Sequence, residues 1–274
     1  MSLEPHFVCI NRRRRALPFQ ISRLALVVAL LFGILPALSA SDLSGKRVAI
    51  LGDSMTWIGG DSCQNEKGWT WHFKRAAKPK SIDIYARSGA TWTNTATTRT
   101  APEAYTEVLD DNNVIFNQVV RLIAAADKDA ARTPDVIVIA AGGNDAWFHA
   151  KRPGCFDVNK PVPDIAAQND PAAFTTLKSS VTLACTMLSN RFPKARIVLV
   201  TPAEMTKTSV ENINKVGDII EQTGAELGLK TLRADKHVDI KRSVELKNHV
   251  NTYDGVHTNP SGAKLLADYI GSHL

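Results

Sequence analysis

The chain has 274 residues, of which 44% are hydrophobic and 22% charged, and its formal net charge is +6. This composition is typical of a globular protein with one sizeable core. Most of the positive excess lies in residues 1–40, which hold five arginines and one glutamate. The remainder has no basic run, so the charge gives no indication of nucleic-acid binding.

Residues 1–40 have the arrangement of a secretory signal peptide. Four arginines, Arg12–Arg15, precede the apolar segment Leu24–Leu35, and the small residues of Ala37–Ala40 follow it. That order suits a signal peptidase. The apolar segment is shorter than the roughly 20 residues that a membrane-spanning helix needs. We therefore expect a secreted or periplasmic protein that meets the membrane only during export, with an uncleaved membrane anchor as the alternative.

Strands and helices alternate through residues 41–274, which we expect to form a single domain. Apolar, β-branched runs predict strands at Arg47–Gly52, Ile82–Ala86, Asp135–Ala141, Arg196–Thr201 and Lys230–Ala234. Helical spacing of apolar residues predicts helices at Trp69–Ala77, Ala104–Asp110, Val114–Ala126, Pro171–Asn190, Val210–Leu227 and Pro260–Ile270. The alternation predicts an α/β fold, with a central parallel sheet of about five strands and helices on both faces.

Three predicted strands end in turns that combine glycine with polar residues. These turns are Gly52-Asp53-Ser54, Ser88-Gly89 and Gly142-Gly143-Asn144-Asp145. The carboxyl ends of parallel strands share one edge of the sheet, which is where open α/β sheets bind their ligands. A serine on a sharp turn at this edge is a candidate nucleophile, and Ser54 has that position.

A serine nucleophile needs a base, and the base needs an acceptor that orients it. His257 stands in the segment before the last predicted helix and can supply the base. Asp254 lies three residues earlier, a spacing that a turn closes. The spacing predicts a catalytic set of Ser54, Asp254 and His257. Taken alone, Ser54 could instead be a helix cap and His257 a solvated loop residue.

The tetrahedral intermediate of acyl transfer also needs hydrogen-bond donors for its oxyanion. The candidates are the backbone N–H of Ser54, the backbone N–H of Gly89 and the side-chain amide of Asn144. A glycine at position 89 would let the backbone approach a substrate closely. We expect Asp53 and Asp145 to brace their turns by hydrogen bonds and to take no part in the chemistry.

Together these motifs resemble those of the SGNH hydrolases, also called the GDSL esterase/lipase family. The matching elements are Gly52-Asp53-Ser54, Gly89, Gly142-x-Asn144-Asp145 and Asp254-x-x-His257, in the order that the family has them. The resemblance implies a three-layer α/β/α flavodoxin-like fold and ester hydrolysis without a metal or cofactor. It also implies Ser54, Asp254 and His257 as the triad, and Ser54, Gly89 and Asn144 as the oxyanion hole. Met55 stands where many members have leucine, a change that conserves volume.

All five tryptophans occur in or just after the first three motif segments. Trp57, Trp92 and Trp147 are candidates for substrate binding, because indole faces near the catalytic edge suit a sugar ring or the wall of an acyl pocket. The structural alternative is that Trp69 and Trp71 pack the first helix against the sheet.

Export would permit disulfides, and the cysteine positions suggest one. Cys63 and Cys155 lie in long loops rich in turn residues, and we expect a bond between them. Cys185 lies in an apolar helical segment and is expected to be a buried free thiol. The spacing of the cysteines matches no zinc-binding motif.

These features predict an exported serine esterase that acts through an acyl-enzyme on a small-molecule or glycan ester. Export and the tryptophans favour short acyl groups, such as acetyl esters of carbohydrates. A lipase or lysophospholipase and an acyltransferase are alternatives that would use the same residues. A glycan-binding module on an esterase scaffold is the alternative that is not an enzyme, and the intact Ser54, Asp254 and His257 argue against it.

Overall fold

The computed structural model describes residues 41–103, 106–166 and 170–274. The predicted signal peptide, residues 1–40, lies outside them. Of the helices in the described ranges, none is long and apolar enough to cross a membrane.

The sheet has five parallel strands in the order β2-β1-β3-β4-β5. The strands are β1 (Arg47–Gly52), β2 (Ser81–Ile84), β3 (Val136–Ala140), β4 (Arg196–Val200) and β5 (Lys230–Leu232). β1 and β3 lie side by side at the centre, with Gly52 opposite Ala140 at their carboxyl ends. Their apolar runs are buried on both faces, as expected of central parallel strands.

Helices cover both faces of the sheet. They are α1 (Ser54–Trp57), α2 (Trp69–Ala77), α3 (Ile115–Lys128), α4 (Gly143–Phe148), α5 (Leu177–Arg191), α6 (Val210–Glu226), α7 (Ala234–His237), α8 (Arg242–Asn248) and α9 (Pro260–His273). Val48 and Ile50 of β1 belong to the core that α2 and α9 cover, whereas Ala49 and Leu51 belong to the core under α3, α5 and α6. The alternation of side chains along β1 thus divides the core into two layers. The predicted α/β/α architecture is confirmed.

Most of the differences from the sequence prediction involve short helices. α1, α4, α7 and α8 have four to seven residues, too few for a periodic pattern to show. The helix predicted from Pro171 begins at Leu177, because Thr176 caps it and accepts a hydrogen bond from the Ser179 N–H at 3.1 Å. The helix predicted at Ala104–Asp110 is wrong for its described part, since residues 106–110 are not helical.

Candidate active site

The three strand-end turns meet at the carboxyl edge of the sheet. The Arg87 N–H donates to the Gly52 carbonyl at 3.1 Å, and the Asp53 N–H donates to the Ala140 carbonyl at 3.3 Å. These bonds continue the pairing of β1 with its two neighbours beyond the strands themselves. The turns that follow β1, β2 and β3, which we call the sheet-edge turns, are therefore fixed to one another through their backbones.

Ser54 is the first residue of α1 and is 9% exposed. Asp53 caps this helix, because its carboxylate accepts a hydrogen bond from the Met55 N–H at 3.0 Å. Gly52 leaves no room for a side chain, since a Cβ there would lie 2.4 Å from the Ala140 carbonyl oxygen. The serine therefore sits on a tight turn in which the residue two positions before it must be glycine.

Gln118 on α3 binds both backbone groups of Gly52, at the start of this turn. Its side-chain oxygen accepts from the Gly52 N–H and its amide donates to the Gly52 carbonyl, both at 2.9 Å. The residue is fully buried. Sequence reasoning missed Gln118, because a glutamine within an amphipathic helix gives no indication that it binds a strand end.

Asn144 lies at the start of α4, with its side chain directed to the turn after β2. Its amide donates to the Ala90 carbonyl at 2.9 Å, next to Gly89. A carboxamide carries two N–H groups, so the second remains available to a ligand. Among the described residues, the backbone N–H groups of Ser54 and Gly89 have no protein acceptor. The turns thus hold three donors that fit the predicted oxyanion hole.

Gly89 has a positive φ of 78° and is closely packed on its Cβ side. A Cβ there would lie 2.4 Å from the backbone carbon of Val108 and 2.6 Å from the nitrogen of Leu109. The residue is therefore glycine because another part of the chain passes against it, in a conformation that side chains disfavour. The sequence interpretation attributes this glycine to the close approach of a substrate. The structure shows that Val108 and Leu109 make the close approach.

Asp145 braces the segment that follows Gly89. Its carboxylate accepts from the N–H groups of Trp92 and Thr93, both at 2.9 Å, and from the Thr93 hydroxyl at 2.6 Å. Asp145 thus braces a neighbouring segment, whereas the prediction had it brace its own turn. The same contacts correct the prediction for Trp92, because they draw its segment inward and leave its side chain 1% exposed in the core. Trp92 therefore offers no face to a substrate.

Asp254 and His257 form a close pair in the segment 251–258, which we call the C-terminal loop. The Asp254 carboxylate lies 2.7 Å from the His257 Nδ1, and it also accepts the backbone N–H groups of Val256 at 2.9 Å and His257 at 2.7 Å. Burial alone would raise the pKa of Asp254, but these hydrogen bonds hold it below its ordinary value. The pair has the geometry of a base and its orienting acid.

Glu245 on α8 anchors the C-terminal loop. Its buried carboxylate accepts from the N–H groups of Asn251 at 2.9 Å and Thr252 at 3.0 Å, and from the Thr252 hydroxyl at 2.5 Å. The Thr252 hydroxyl in turn accepts from the Gly255 N–H at 3.1 Å. Sequence reasoning missed Glu245, since it stands in a polar segment that showed no helical pattern.

Asp53 is a buried acid directly before Ser54. Complete burial raises the pKa of Asp53 to about 6, and the nearby charge of Asp145 acts in the same direction. Hydrogen bonds from Met55 and Gly143 and the charge of His257 oppose this shift. The imidazole is therefore near enough to interact electrostatically with the residue that precedes Ser54.

Tyr253 stacks on the His257 ring, with the ring centroids 5.7 Å apart and the planes 18° from parallel. Its side chain is 48% exposed, and the Lys67 ammonium lies 5.2 Å from its ring centroid. An exposed aromatic face therefore adjoins the imidazole. The sequence interpretation did not include Tyr253.

The remaining tryptophans divide between core and partly exposed positions. Trp69 is buried and donates to the Thr56 hydroxyl at 3.1 Å, so its packing role on α2 is confirmed. Trp57 and Trp147 are partly buried, and Trp147 stacks on Phe148 with centroids 4.7 Å apart. A role for these two in substrate binding stays a prediction.

The predicted disulfide between Cys63 and Cys155 is wrong. Both are buried free thiols. The loop that contains Cys63 folds back on itself, so that the Cys63 side chain lies beside Thr70 of α2. Cys155 lies near Asp145 instead. The two thiols thus have different surroundings, which the position of each in a long loop did not reveal.

Cys185 is a buried free thiol, as predicted. Burial raises its pKa to about 12, so it is protonated at neutral pH. Within the part of the chain that the structure describes, no group of three or more His, Cys, Asp or Glu side chains is placed to hold a metal ion.

The fold and these side chains define a serine-type hydrolase of the α/β/α class. The family model described as GDSL-like Lipase/Acylhydrolase matches residues 48–270. The chain belongs to this family, and it is an ester hydrolase of the SGNH type.

Solved structures share the fold at low sequence identity. A protein from Lactobacillus plantarum is 17% identical with a TM-score of 0.55, over 85% of this chain and 97% of that one. A GDSL-like lipase from Bacteroides uniformis is 19% identical with a TM-score of 0.51, over 84% of this chain and 96% of that one. Another GDSL-like lipase, from Bacteroides ovatus, is 15% identical with a TM-score of 0.52, over 83% of this chain and 96% of that one. No curated protein matches the sequence significantly.

Proposed function

We propose that the protein is an exported serine esterase with Ser54 as nucleophile, His257 as base and Asp254 as the acid that orients the base. One observation carries this proposal. Asp254 and His257 form a hydrogen-bonded pair at 2.7 Å, in a loop whose Gly255 carbonyl accepts from the N–H of Thr206, beyond the carboxyl end of β4. A nucleophile, a base and an orienting acid are thus supplied at one edge of the sheet.

In the first half of the reaction, the Ser54 oxygen attacks the ester carbonyl and its proton passes to Nε2 of His257. Asp254 accepts a hydrogen bond from the Nδ1–H of His257 and remains ionised, which fixes the tautomer and stabilises the imidazolium. Ser54 N–H, Gly89 N–H and the free N–H of Asn144 bind the oxyanion. Each such donor contributes about 3 kcal/mol to transition-state stabilisation.

The tetrahedral intermediate then collapses and the ester oxygen leaves with the proton from His257, so that an acyl-enzyme remains. In the second half, a water molecule gives a proton to His257 and attacks the acyl carbonyl. Collapse of the second intermediate returns the proton to Ser54 and releases the acid. The reaction consumes one water and needs no other reactant.

We assign short-acyl esters of carbohydrates, such as acetyl esters, as the substrate class. Trp57 and Trp147 support this assignment, because both are partly exposed and each follows a residue of the proposed site closely in the chain. Tyr253 adds an exposed ring beside His257. Aromatic faces of this kind suit the apolar side of a sugar ring.

A lipase with long-chain acyl substrates is the second candidate, favoured by one observation. Val250 and Tyr253 of the segment that leads into His257 are about half exposed and offer apolar surface beside the site. A series of chromogenic esters from acetyl to palmitoyl separates the candidates. We expect the highest kcat/KM for acetyl, and a preference for long chains would instead support the lipase.

Hydrolysis and acyl transfer share the acyl-enzyme and differ in the group that attacks it. We assign hydrolysis as the main reaction. Products of an acetyl ester are compared with and without a sugar acceptor, and free acetate should predominate in both. A dominant acylated sugar would show an acyltransferase.

Labelling by a serine-reactive fluorophosphonate tests the proposed mechanism. The unmodified protein should be labelled on Ser54, and the Ser54→Ala variant should not be labelled at all. Ser88→Ala is the matched control, because Ser88 lies in the turn after β2 at the same edge and should leave labelling unchanged. Labelling that persists in Ser54→Ala would overturn the assignment of the nucleophile.

The export proposal rests on the arrangement of residues 1–40. N-terminal sequencing of protein recovered from cells that express the full chain should find a mature start near Ser41, in the periplasm or the medium. A chain that still begins at Met1 and sediments with membranes would show the uncleaved anchor instead.

A further inference from the structure

A cavity of about 250 Å³ lies beyond the segment that Asp145 braces. Its walls come from residues 94–96, from residues 151–153 after α4, and from Thr175 before α5. Nothing in the proposed ester hydrolysis uses these residues.

Asn94 lines this cavity and is 1% exposed. Its backbone N–H donates to the Ser180 hydroxyl at 3.0 Å. Neither polar atom of its carboxamide has a hydrogen-bond partner among the described residues. Buried polar side chains are nearly always hydrogen-bonded, so an unpartnered amide indicates that something outside the protein completes its bonding.

Arg152 lines the same cavity and is 7% exposed. Its guanidinium donates to two neutral acceptors, the carbonyl oxygens of Thr93 at 2.5 Å and of Asp110 at 3.4 Å. Within the described ranges, it forms no ion pair with a carboxylate. The Asp145 carboxylate is bound to the other side of Thr93 and does not pair with Arg152 directly. A buried cation without a directly paired carboxylate is costly, and an anion in the cavity would supply that partner.

Further positive charge surrounds the cavity. Lys151 lines it, and the Lys160 ammonium donates to the Thr175 hydroxyl at 2.9 Å. Three carboxylates of neighbouring segments are already hydrogen-bonded elsewhere. Asp145 accepts from the Trp92 and Thr93 N–H groups. Asp110 accepts from the Asn112 N–H and Asp111 from the Thr97 hydroxyl. The two charged residues that line the cavity, Lys151 and Arg152, are thus both cations.

We propose that the cavity binds a small oxyanion, namely a carboxylate, sulfate or phosphate group. The guanidinium of Arg152 and the ammonium of Lys151 neutralise its charge, and the Asn94 amide donates to one of its oxygens. Arg152 also holds the Thr93 carbonyl, so a bound anion fixes the segment that leads away from Gly89. This site does not depend on Ser54 chemistry, because binding is measured without any ester.

Calorimetric titration with inorganic phosphate at constant ionic strength tests the site. The unmodified protein should give saturable binding. Lys151→Gln should bind phosphate about tenfold more weakly, since it loses one charged hydrogen bond. Lys215→Gln is the matched control, because this exposed lysine lies outside the cavity lining and its loss should leave the affinity unchanged.

Asn94 supplies a second, independent test. Asn94→Leu should lose phosphate binding and yet melt at a higher temperature without phosphate, because the unpartnered amide is gone. Asn94→Asp keeps the size of the side chain but repels an anion, so it should also lose binding. The site is disproved if the unmodified protein shows no saturable binding, or if all variants bind phosphate equally well.

Kinetics then distinguish a free anion from an anionic group on the substrate. Phosphate is added during hydrolysis of a neutral chromogenic acetate ester and of an ester with a carboxylate on its alcohol. If the substrate supplies the anion, phosphate should compete with the charged ester alone, and Lys151→Gln should raise KM for that ester alone. If the anion is free, phosphate should compete with neither. Both results retain the site and identify its ligand.

Discussion

The sheet-edge turns and the C-terminal loop supply the two halves of the candidate site. The turns come from three separate places in the chain, yet each is hydrogen-bonded to the next as an extension of the sheet. The C-terminal loop is a single segment outside the sheet. The proposed oxyanion donors thus extend directly from the sheet, whereas the proposed base and its acid do not.

Both regions are braced by the same arrangement of side chains. Asp145 and Glu245 are each buried, and each accepts two successive backbone N–H groups and the hydroxyl of the second residue, a threonine. Carboxylates bind N–H groups more strongly than neutral acceptors do. The comparison shows that a loop outside the sheet is braced by the same arrangement of a buried acid that braces the sheet-edge turns.

The largest effect is expected within the C-terminal loop itself. Asp254→Asn should lower kcat by roughly 10⁴-fold, because the amide stabilises the wrong tautomer of His257 and no imidazolium. Steady-state kinetics on a chromogenic acetate ester measure it. Asp268→Asn is the control, since Asp268 is an exposed acid on α9 that pairs with Lys264. Activity within tenfold of the unmodified enzyme would show that Asp254 does not orient the base.

The sheet-edge turns should show the next largest effect. Asn144→Ala should lower kcat by about 10²- to 10³-fold while KM changes little, because the donor acts on the oxyanion and hardly at all on the ground state. Thermal unfolding checks that the loss of the bond to Ala90 leaves the fold intact. A rise in KM at unchanged kcat would assign Asn144 to substrate binding instead.

Substitutions of Thr252 and Thr93 compare the contributions of the two buried acids, Glu245 and Asp145, to activity. The Thr252 hydroxyl binds both Glu245 and the Gly255 N–H, whereas the Thr93 hydroxyl binds Asp145. Thr252→Val should therefore lower kcat by about tenfold, the equivalent of about 1.4 kcal/mol, and Thr93→Val should lower it less. Thr252→Ser and Thr93→Ser keep the hydroxyl and should restore both. Equal losses for the two valine variants would mean that the C-terminal loop needs no special brace.

The smallest effect concerns Asp53 and the pH dependence of stability. Because its pKa is raised to about 6 from 3.8, the folded state binds a proton more tightly than the unfolded state between these values. The contribution of Asp53 to stability is therefore lost as pH rises towards and through 6. Asn remains neutral, so Asp53→Asn should gain stability relative to the unmodified protein between pH 4 and 7.

The expected gain is about 1 kcal/mol at pH 7, less than the raised pKa alone would imply, because the amide accepts hydrogen bonds more weakly than the carboxylate. Urea unfolding at several pH values measures the difference. A difference that does not vary with pH would show that Asp53 has an ordinary pKa.

The sheet-edge turns were largely predictable from the sequence, because their signals are local. An apolar run followed by glycine and a polar residue predicts a strand and its turn, and parallel strands bring such turns together. The prediction of the Asp254 and His257 pair had the same basis, a spacing of three residues. Asp145 was expected to brace a turn, although its partners Trp92 and Thr93 were not foreseen.

The features that were missed or wrong depend on packing between distant segments. Gln118 binds Gly52 across 66 positions of the chain. Trp92 is buried because a residue 53 positions away binds its N–H. Cys63 and Cys155 share a loop-rich context, but nothing in the sequence sets the distance between the two loops. Glu245 stands close to its partners in sequence, yet its helix is too short to be recognised.

The structure of a phosphonate adduct tests the central claim most directly, because the adduct imitates the tetrahedral intermediate. We expect the phosphorus bonded to the Ser54 oxygen, and one phosphoryl oxygen within hydrogen-bond distance of Ser54 N, Gly89 N and the Asn144 amide. His257 Nε2 should lie near the Ser54 oxygen. An adduct on another residue, or a phosphoryl oxygen directed away from these three donors, would contradict the account.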